Sequence, residues 1–344
     1  MVSLLSFLLV IAICVIIHEG GHYFAAVWRN VQVHEFAFGM GPKVLSTRRK
    51  GVIWSIRALP IGGFVRLEGE EEEPRPGDVP DPARSFQSRK AWERFVIIAG
   101  GATMNIILAW VLMTFSLATH GVLDMKTPRI GTLMADYPAA QMGARPGDMV
   151  LSINGAPIKE WGEIRGTLQG LSGEDVKIVV NRDGSEKTLT GKIPYSEEHK
   201  ARLLGIQPSR EVYPIGKALK NSLRFCGQMT VAVIQGFGQM LTGKMPMDVA
   251  GPVGIAKYAG EAARDGFWTF IAFLAVINLN LGLLNLFPFP ALDGGRLVFL
   301  FKEMLTGRKF PEKWESRIHL VGFALLMALI IFVTWKDIMS ILKL

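Results

Sequence analysis

The sequence predicts a polytopic α-helical membrane protein with four transmembrane helices, a small membrane-associated β-sheet after the first of them, and one α/β insert after the second. Three observations lead there. Hydrophobic residues make up 49% of the 344 residues, with a mean hydropathy of +0.28, and they come in runs long enough to cross a ~30 Å hydrocarbon core. Two stretches between the runs, 31–68 and 127–195, alternate apolar and polar residues between Gly, Pro and Asp, the pattern of short strands and turns. Ionisable residues stand inside apolar runs at His18, Glu19 and His22 and again at Asp293, where a group without a task is costly.

The first run, 1–27, is the one the chain is organised around. It carries His18-Glu19-Gly20-Gly21-His22. Two histidines four residues apart fall on one face of a helix, a turn from each other, so both imidazoles can reach one metal ion. Glu19 is not needed as a ligand and is free to activate a water. H-E-x-x-H on a helix is the pattern of zinc metallopeptidases. At ~1.5 Å per residue, His18 lies roughly 24 Å into the run, towards the far end of a span. Gly20 and Gly21 each weaken a helix by about 1 kcal/mol relative to Ala, which a close approach of another backbone would explain. No Lys or Arg precedes the run, and it holds the candidate ligands, so a cleaved signal peptide is not expected.

Residues 28–95 read as a β region and a loop. VQVHEFAFGMG, PKVLSTRR, GVIWSIRAL and FVRLEG give about four short strands. The apolar Gly39-Met40-Gly41-Pro42 turn would let this sheet dip into the membrane, where irregular backbone survives only against protein or a wet cavity; an ordinary cytoplasmic pair of hairpins is the alternative. The acidic run Glu70–Glu73 and the PRPGDVPDP that follows it read as a solvated, flexible loop over 69–90. Arg29 on one side and Arg84, Arg89, Lys90 and Arg94 on the other place 28–95 in the cytoplasm and the N-terminus outside. The second span follows at 96–120.

Segment 127–195 holds IGTL, then YPAAQMGARPGDMVLSINGAPI, then GEDVKIVVNRDGSEKTL, with one amphipathic helix near 160–170. Region 213–265 includes FCGQMTVAVIQGFGQML, apolar enough to suggest a span. Its three Gln and the flanking Lys217, Lys220 and Arg224 indicate an interfacial amphipathic helix instead.

The run at 266–301 is interrupted by Asn278, Asn280, Asn285, Pro288, Pro290 and Asp293-Gly294-Gly295. Prolines break the helix, and amides and a carboxylate at that depth point to a polar site. This is a discontinuous third span, and Asp293 is the natural third ligand: two His and one Asp leave a fourth position for water, the open pattern of a catalytic zinc. For Asp293 to reach the histidines, the third span must run in the same direction as the first, as it does if 213–265 does not cross. Arg296, Lys302, Arg308, Lys309, Lys313 and Arg317 then mark 302–317 as a cytoplasmic loop. A fourth span, 318–344, returns the C-terminus outside.

The net charge of +8 and pI near 9.5 do not indicate a nucleic-acid partner, because the basic residues sit beside the apolar runs, as membrane topology requires. Cys14 and Cys226 lie in apolar surroundings and offer neither a disulfide framework nor a C-x-x-C pair.

Ala144-Arg145-Pro146-Gly147-Asp148 followed by LSING resembles a PDZ domain of bacterial envelope proteases, with the peptide-binding loop expected near Arg129–Leu133. PDZ domains bind peptide termini by strand addition; a domain that acts only as a steric filter is the alternative. H-E-x-x-H in the first span, one PDZ-like α/β insert and Asn285-Leu286-Phe287-Pro288-Phe289-Pro290-Ala291-Leu292-Asp293-Gly294 together resemble the site-2 protease family, the intramembrane zinc metalloproteases of bacterial regulated intramembrane proteolysis. Some bacterial relatives of that family carry two PDZ domains in tandem, and this chain has room for one. The resemblance implies that His18, His22 and Asp293 bind Zn2+ and that Glu19 is the catalytic base. It also implies that Asn285 and Asn280 hold substrate backbone and that Gly39 and Gly41 belong to a sheet that pairs with an unwound substrate. It further implies substrates that are pre-trimmed single-span membrane proteins, such as an anti-sigma factor or signal-peptide remnants, and a place in the bacterial inner membrane. The alternatives are a non-catalytic PDZ-bearing membrane scaffold or chaperone, and a metal transporter, which requires further carboxylates along a path through the spans.

Overall fold

The computed structural model describes residues 2–70, 78–171, 173, 175–197, 199–244 and 250–342. Glu71–Glu73 of the acidic run lie outside the described residues. The helices are α1 (Val2–Trp28), α2 (Ala91–Thr119), α3 (Pro138–Gln141), α4 (Trp161–Gln169), α5 (Ile215–Leu241), α6 (Pro252–Arg264), α7 (Phe267–Leu286), α8 (Asp293–Thr306) and α9 (Glu312–Leu342). Four of them, α1, α2, α7 and α9, are long and apolar enough to cross a membrane. The amphipathic α5 is not among these four. The chain divides into two compact units, one of Met1–Ser116 with Leu219–Leu344 and one of Leu117–Ala218.

In the first unit, the four β-like runs of 31–68 form two long strands, β1 (Val33–Arg49) and β2 (Val52–Leu67), each bent back on itself. Ile53 pairs with both Glu35 and Arg48, and Phe36 with both Trp54 and Val65. Four segments therefore lie side by side, in the order 43–49, 52–57, 33–38, 63–67, antiparallel at the two outer pairs and in parallel register between 52–57 and 33–38. Glycine and proline bend these strands without ending them, because Gly39, Gly41 and Gly62 take positive φ at the corners. Tyr23 of α1 packs edge-on against Trp54 at 5.3 Å and Phe36 at 6.0 Å, anchoring the helix to the sheet. Buried Ala26, Val33, Phe36, Leu67, Ile97, Leu297 and Leu300 join α1, the sheet, α2 and α8 in one core.

Three boundaries differ from the sequence reading. Residues 78–90 are tied down rather than free. Phe86 is buried, its N–H donates to Glu68 O, Gln32 N–H donates to Arg84 O, and Arg66 grips Asp78 through two nitrogens at 2.5 and 2.8 Å. The polar composition that suggested solvation is used in pairing. The loop expected over 302–317 shrinks to 307–311. Charged residues on both sides are good helix formers and extend α8 and α9 beyond the apolar run, and Gly307 ends α8 in the left-handed conformation. The insert is longer than 127–195: its strands run from Val122 to Glu211.

The second unit contains β3 (Val122–Leu123), β4 (Ile130–Leu133), β5 (Met149–Ile153), β6 (Ala156–Pro157), β7 (Asp175–Arg182), β8 (Ser185–Lys192), β9 (Tyr195–Ser196), β10 (Ala201–Arg202), β11 (Ile206–Pro208) and β12 (Arg210–Glu211). A four-stranded sheet has the order β6-β5-β7-β8, while β4 pairs with β11 and β3 with β12. Arg129–Leu133, expected as a loop, is mostly strand. The closing strands β11 and β12 have two or three residues and a proline, too short for alternation to reveal them. Ile130, Val150, Ile153, Ile164, Leu168, Val180 and Leu204 fill the core. Asp148, 1% exposed, accepts Nε and Nη2 of Arg182 at 2.8 and 2.7 Å and the backbone N–H of Arg145 at 2.8 Å. The Arg-Pro-Gly-Asp turn is thereby closed on itself and tied to β7.

Candidate metal centre

α1 and α2 cross at glycine. A Cβ on Gly21 would meet Gly100 C at 2.5 Å and Gly101 Cα at 2.8 Å, so the two backbones touch. Gly20 has no such role; the one atom near its Cβ position is Phe24 Cε2 at 3.8 Å. One of the two glycines is thus used for close approach. Gly101 makes room for the histidines: a Cβ there would lie 2.8 Å from both His18 Cε1 and His22 Cε1 and would strike His22 Nε2.

The crossing also orients His22. Its Nδ1 lies 2.9 Å from Ile97 O. A carbonyl can only accept, so Nδ1 carries the proton and Nε2 presents a lone pair. That lone pair faces His18 Nε2 at 3.2 Å and Asp293 Oδ2 at 3.5 Å, and His18 Nε2 lies 3.2 Å from the same oxygen.

Asp293 arrives from the third apolar run, where the helix does break. α7 stops at Leu286, residues 287–292 are irregular, and α8 opens on Asp293. Gly294 and Gly295 are buried, and a Cβ on Gly295 would press on Phe289 O at 2.6 Å, so these glycines let the chain double back.

The three atoms fit a zinc ion. A tetrahedral zinc with bonds of about 2.0–2.1 Å separates its ligand atoms by roughly 3.3 Å, and the triangle has edges of 3.2, 3.2 and 3.5 Å. Asp293 Oδ2 is buried and makes no hydrogen bond. A carboxylate oxygen and two imidazole nitrogens, at least one offering a lone pair, point at a common centre, an arrangement that a bound cation makes favourable. Among the described residues this is the one group of three His, Cys, Asp or Glu side chains able to hold a metal.

The other expected residues fall around it. Glu19 lies on the same turn of α1, between that helix and β2: its Cγ would be 2.9 Å from a Cβ on Gly63. Asn280 and Asn285 both lie on α7, and Asn280 Oδ1 is buried without a hydrogen-bond partner. Gly39 and Gly41 sit at the bend of β1 against β2. A Cβ on Gly39 would meet Leu59 O at 2.5 Å, and one on Gly41 the Leu59 side chain at 3.8 Å. Asp337, the one carboxylate within 318–341, accepts the N–H of Gly254 at 2.7 Å and so caps α6. Sequence reasoning passed over Asn105 and His319. Asn105 is fully buried on α2, one turn beyond Gly101, with neither amide atom paired. His319 accepts the backbone N–H of Ala291 at 3.0 Å. Each carried a readable signal, a polar side chain inside an apolar run.

Similarity to known proteins extends over most of the chain. The family described as peptidase family M50 matches residues 6–329. A candidate zinc metalloprotease of Clostridium acetobutylicum is 37% identical over 334 residues, 96% of this chain and 96% of its own. Zinc metalloprotease RasP of Geobacillus kaustophilus is 29% identical over 412 residues, 98% of this chain and 97% of its own. Among solved structures, the PDZ domain of an SdrC-like protein of Listeria monocytogenes matches 24% of this chain and 85% of its own at 21% identity, with a TM-score of 0.21. With a family match that begins before the two histidines and ends beyond Asp293, the chain belongs to peptidase family M50, the site-2 protease family, and is a zinc metallopeptidase.

Proposed function

We propose that this zinc metallopeptidase cleaves single-span membrane proteins, already trimmed on their outer side, within the membrane. The observation that carries the reading is the convergence of His18 Nε2 and His22 Nε2, on a helix long and apolar enough to cross a membrane, with Asp293 Oδ2, at the start of α8, which residues 287–292 join to another such helix, α7. These three residues hold the zinc. When bound, zinc supplies a Lewis acid that acidifies a water and polarises the scissile carbonyl. Glu19 takes the proton of the attacking water and returns it to the leaving amine. Ile97 O holds His22 in the tautomer that can ligate.

A helical substrate hides its carbonyls in hydrogen bonds, so the scissile segment must unwind. The sheet of β1 and β2 lies against α1 beside Glu19 and offers a template for an added strand, with its bend at Gly39 and Gly41 nearest the membrane. Asn285 and Asn280 pair with the exposed substrate backbone; the unpaired Asn280 Oδ1 supports this. Within the second unit, a cleft of about 650 Å³ between α4 and residues 199–206, with Ile164, Leu168 and Ile206 in its walls, supports binding of peptide termini by a PDZ-like domain. The basic residues beside the apolar helices support an inner-membrane protein with both termini outside the cytoplasm.

The test is cleavage of a single-span substrate by purified protein in detergent, with bound zinc counted. Wild type is expected to cleave. Glu19→Gln should keep its zinc and lose cleavage by about 10²–10⁴-fold, and Asp293→Ala should lose zinc. Equal cleavage by Glu19→Gln, or full zinc in Asp293→Ala, would sink the assignment.

A further inference from the structure

The segment between α7 and α8 must satisfy its backbone in an apolar setting, where each unpaired N–H is costly. Pro288 and Pro290 have no N–H. Phe287 N–H donates to Leu284 O, Phe289 N–H to Phe287 O and Leu292 N–H to Phe289 O. That leaves Ala291, which sits at φ +77°, a conformation L-residues rarely adopt. Its N–H is taken by a side chain 28 residues away, His319 Nδ1 on α9, at 3.0 Å. One turn further, Gly322 lets α9 lie directly on the segment: a Cβ there would meet Pro290 O at 2.6 Å. The residue at the strained position stands two places before Asp293.

Because Nδ1 accepts, the neutral ring carries its proton on Nε2. Nε2 is buried and has no partner. His319 also lines a cavity of about 430 Å³ together with Ala291, Leu292, Asp293, Arg296 and Ser316. A buried donor without a partner, on a side chain that lines a space large enough for a stretch of main chain, matches the acceptor every peptide offers.

We propose that His319 bridges the metal-binding segment and the substrate: Nδ1 holds Ala291, and so Asp293, in place, while Nε2–H donates to a main-chain carbonyl of the substrate lying in the cavity. The inference rests on the zinc site assigned above. It makes α9 part of the active site, although none of the three ligands comes from it.

The experiment compares wild type, His319→Phe, His319→Asn and Asp293→Ala for zinc affinity by chelator competition and for kcat and KM on a single-span substrate. Phenylalanine keeps the ring and removes both nitrogens. Asparagine keeps an acceptor near the Nδ1 position and removes the Nε2 donor. His319→Phe is expected to bind zinc about 10–100-fold more weakly, the loss typical of a residue behind a ligand, with KM raised. His319→Asn is expected to recover zinc affinity to within about threefold while KM stays raised, a split that general loss of structure would not give. Wild-type zinc affinity in His319→Phe, or wild-type KM in His319→Asn, overturns the proposal. If Asp293→Ala also holds zinc as tightly as wild type, the zinc-site reading itself has failed.

Discussion

Two aspartates, the buried Asp148 and the partly buried Asp293, show how differently this chain treats the same side chain. Asp148 in the second unit receives three hydrogen bonds, two from Arg182 and one from the Arg145 N–H. Asp293 in the first unit presents Oδ2, without a hydrogen bond, to two imidazoles. A carboxylate whose lone pairs are filled by donors closes a turn and has no capacity left. A carboxylate oxygen beside the lone pair of His22 Nε2 is unfavourable until a cation arrives. The contrast in hydrogen bonding distinguishes an acid that closes a turn from a candidate metal ligand.

The largest effect that would break or sharpen this contrast is metal removal. Stripping zinc with a chelator is expected to abolish cleavage, and adding zinc back should restore it, because no donor replaces the cation at Asp293. Apo protein that still cleaves would mean that the three residues do not form a working metal site. Next is Gly101→Ala. The added methyl must displace the His18 and His22 rings, which lie within 2.8 Å of it. A misplacement of about 1 Å at a reacting centre costs up to about 10²-fold in rate, so a 10–100-fold fall in kcat with weaker zinc binding is expected, read by kinetics and zinc counting. Unchanged values would mean that α2 yields at no cost and does not set the histidine geometry.

A smaller effect is expected at the satisfied aspartate. Asp148→Asn removes the charge from a buried fork and should destabilise the Leu117–Ala218 unit by about 2–3 kcal/mol, the value of charged hydrogen bonds that lose their partner, seen as a lower denaturation midpoint. Burial raises the Asp148 carboxyl, but the Arg182 fork and the Arg145 N–H outweigh it and hold the group below the usual carboxylate range. A group depressed in the folded state binds more protons when unfolded. Its contribution is therefore complete above the unfolded value of about 4 and is lost as pH falls towards the folded one. Wild type should lose stability below about pH 4 through this group and Asp148→Asn should not; parallel acid titrations would remove the fork from the account.

Much of this site was legible because it is written in local spacing. The four-residue separation of His18 and His22 and the proline-broken run before Asp293 announce themselves within ten residues. What was not legible acts across the fold. Ile97 lies 75 residues from His22 and contributes only a carbonyl, which every residue has. His319 works through one backbone N–H of a segment 28 residues away. The β region was legible as four runs but not as two bent strands, since glycine and proline signal a bend and an ending alike. The short strands β11 and β12 gave too few residues for a period.

The smallest expected effect separates the two neighbouring glycines of the H-E-x-x-H turn. Sequence alone treats Gly20 and Gly21 as one device. A Cβ on Gly21 would collide with the backbone of α2, whereas one on Gly20 meets only Phe24 Cε2 at an ordinary 3.8 Å. Gly20→Ala is therefore expected to leave zinc content and cleavage within about twofold, and to stabilise α1 by up to about 1 kcal/mol through helix propensity. Gly21→Ala should weaken both zinc binding and cleavage by separating α1 from α2, and with it His22 from Ile97 O. Zinc counts and kcat on the two variants, side by side, test this directly. A matched loss in both would mean that Gly20 serves a part of the reaction cycle in which another chain, such as the unwound substrate, comes against that face of α1.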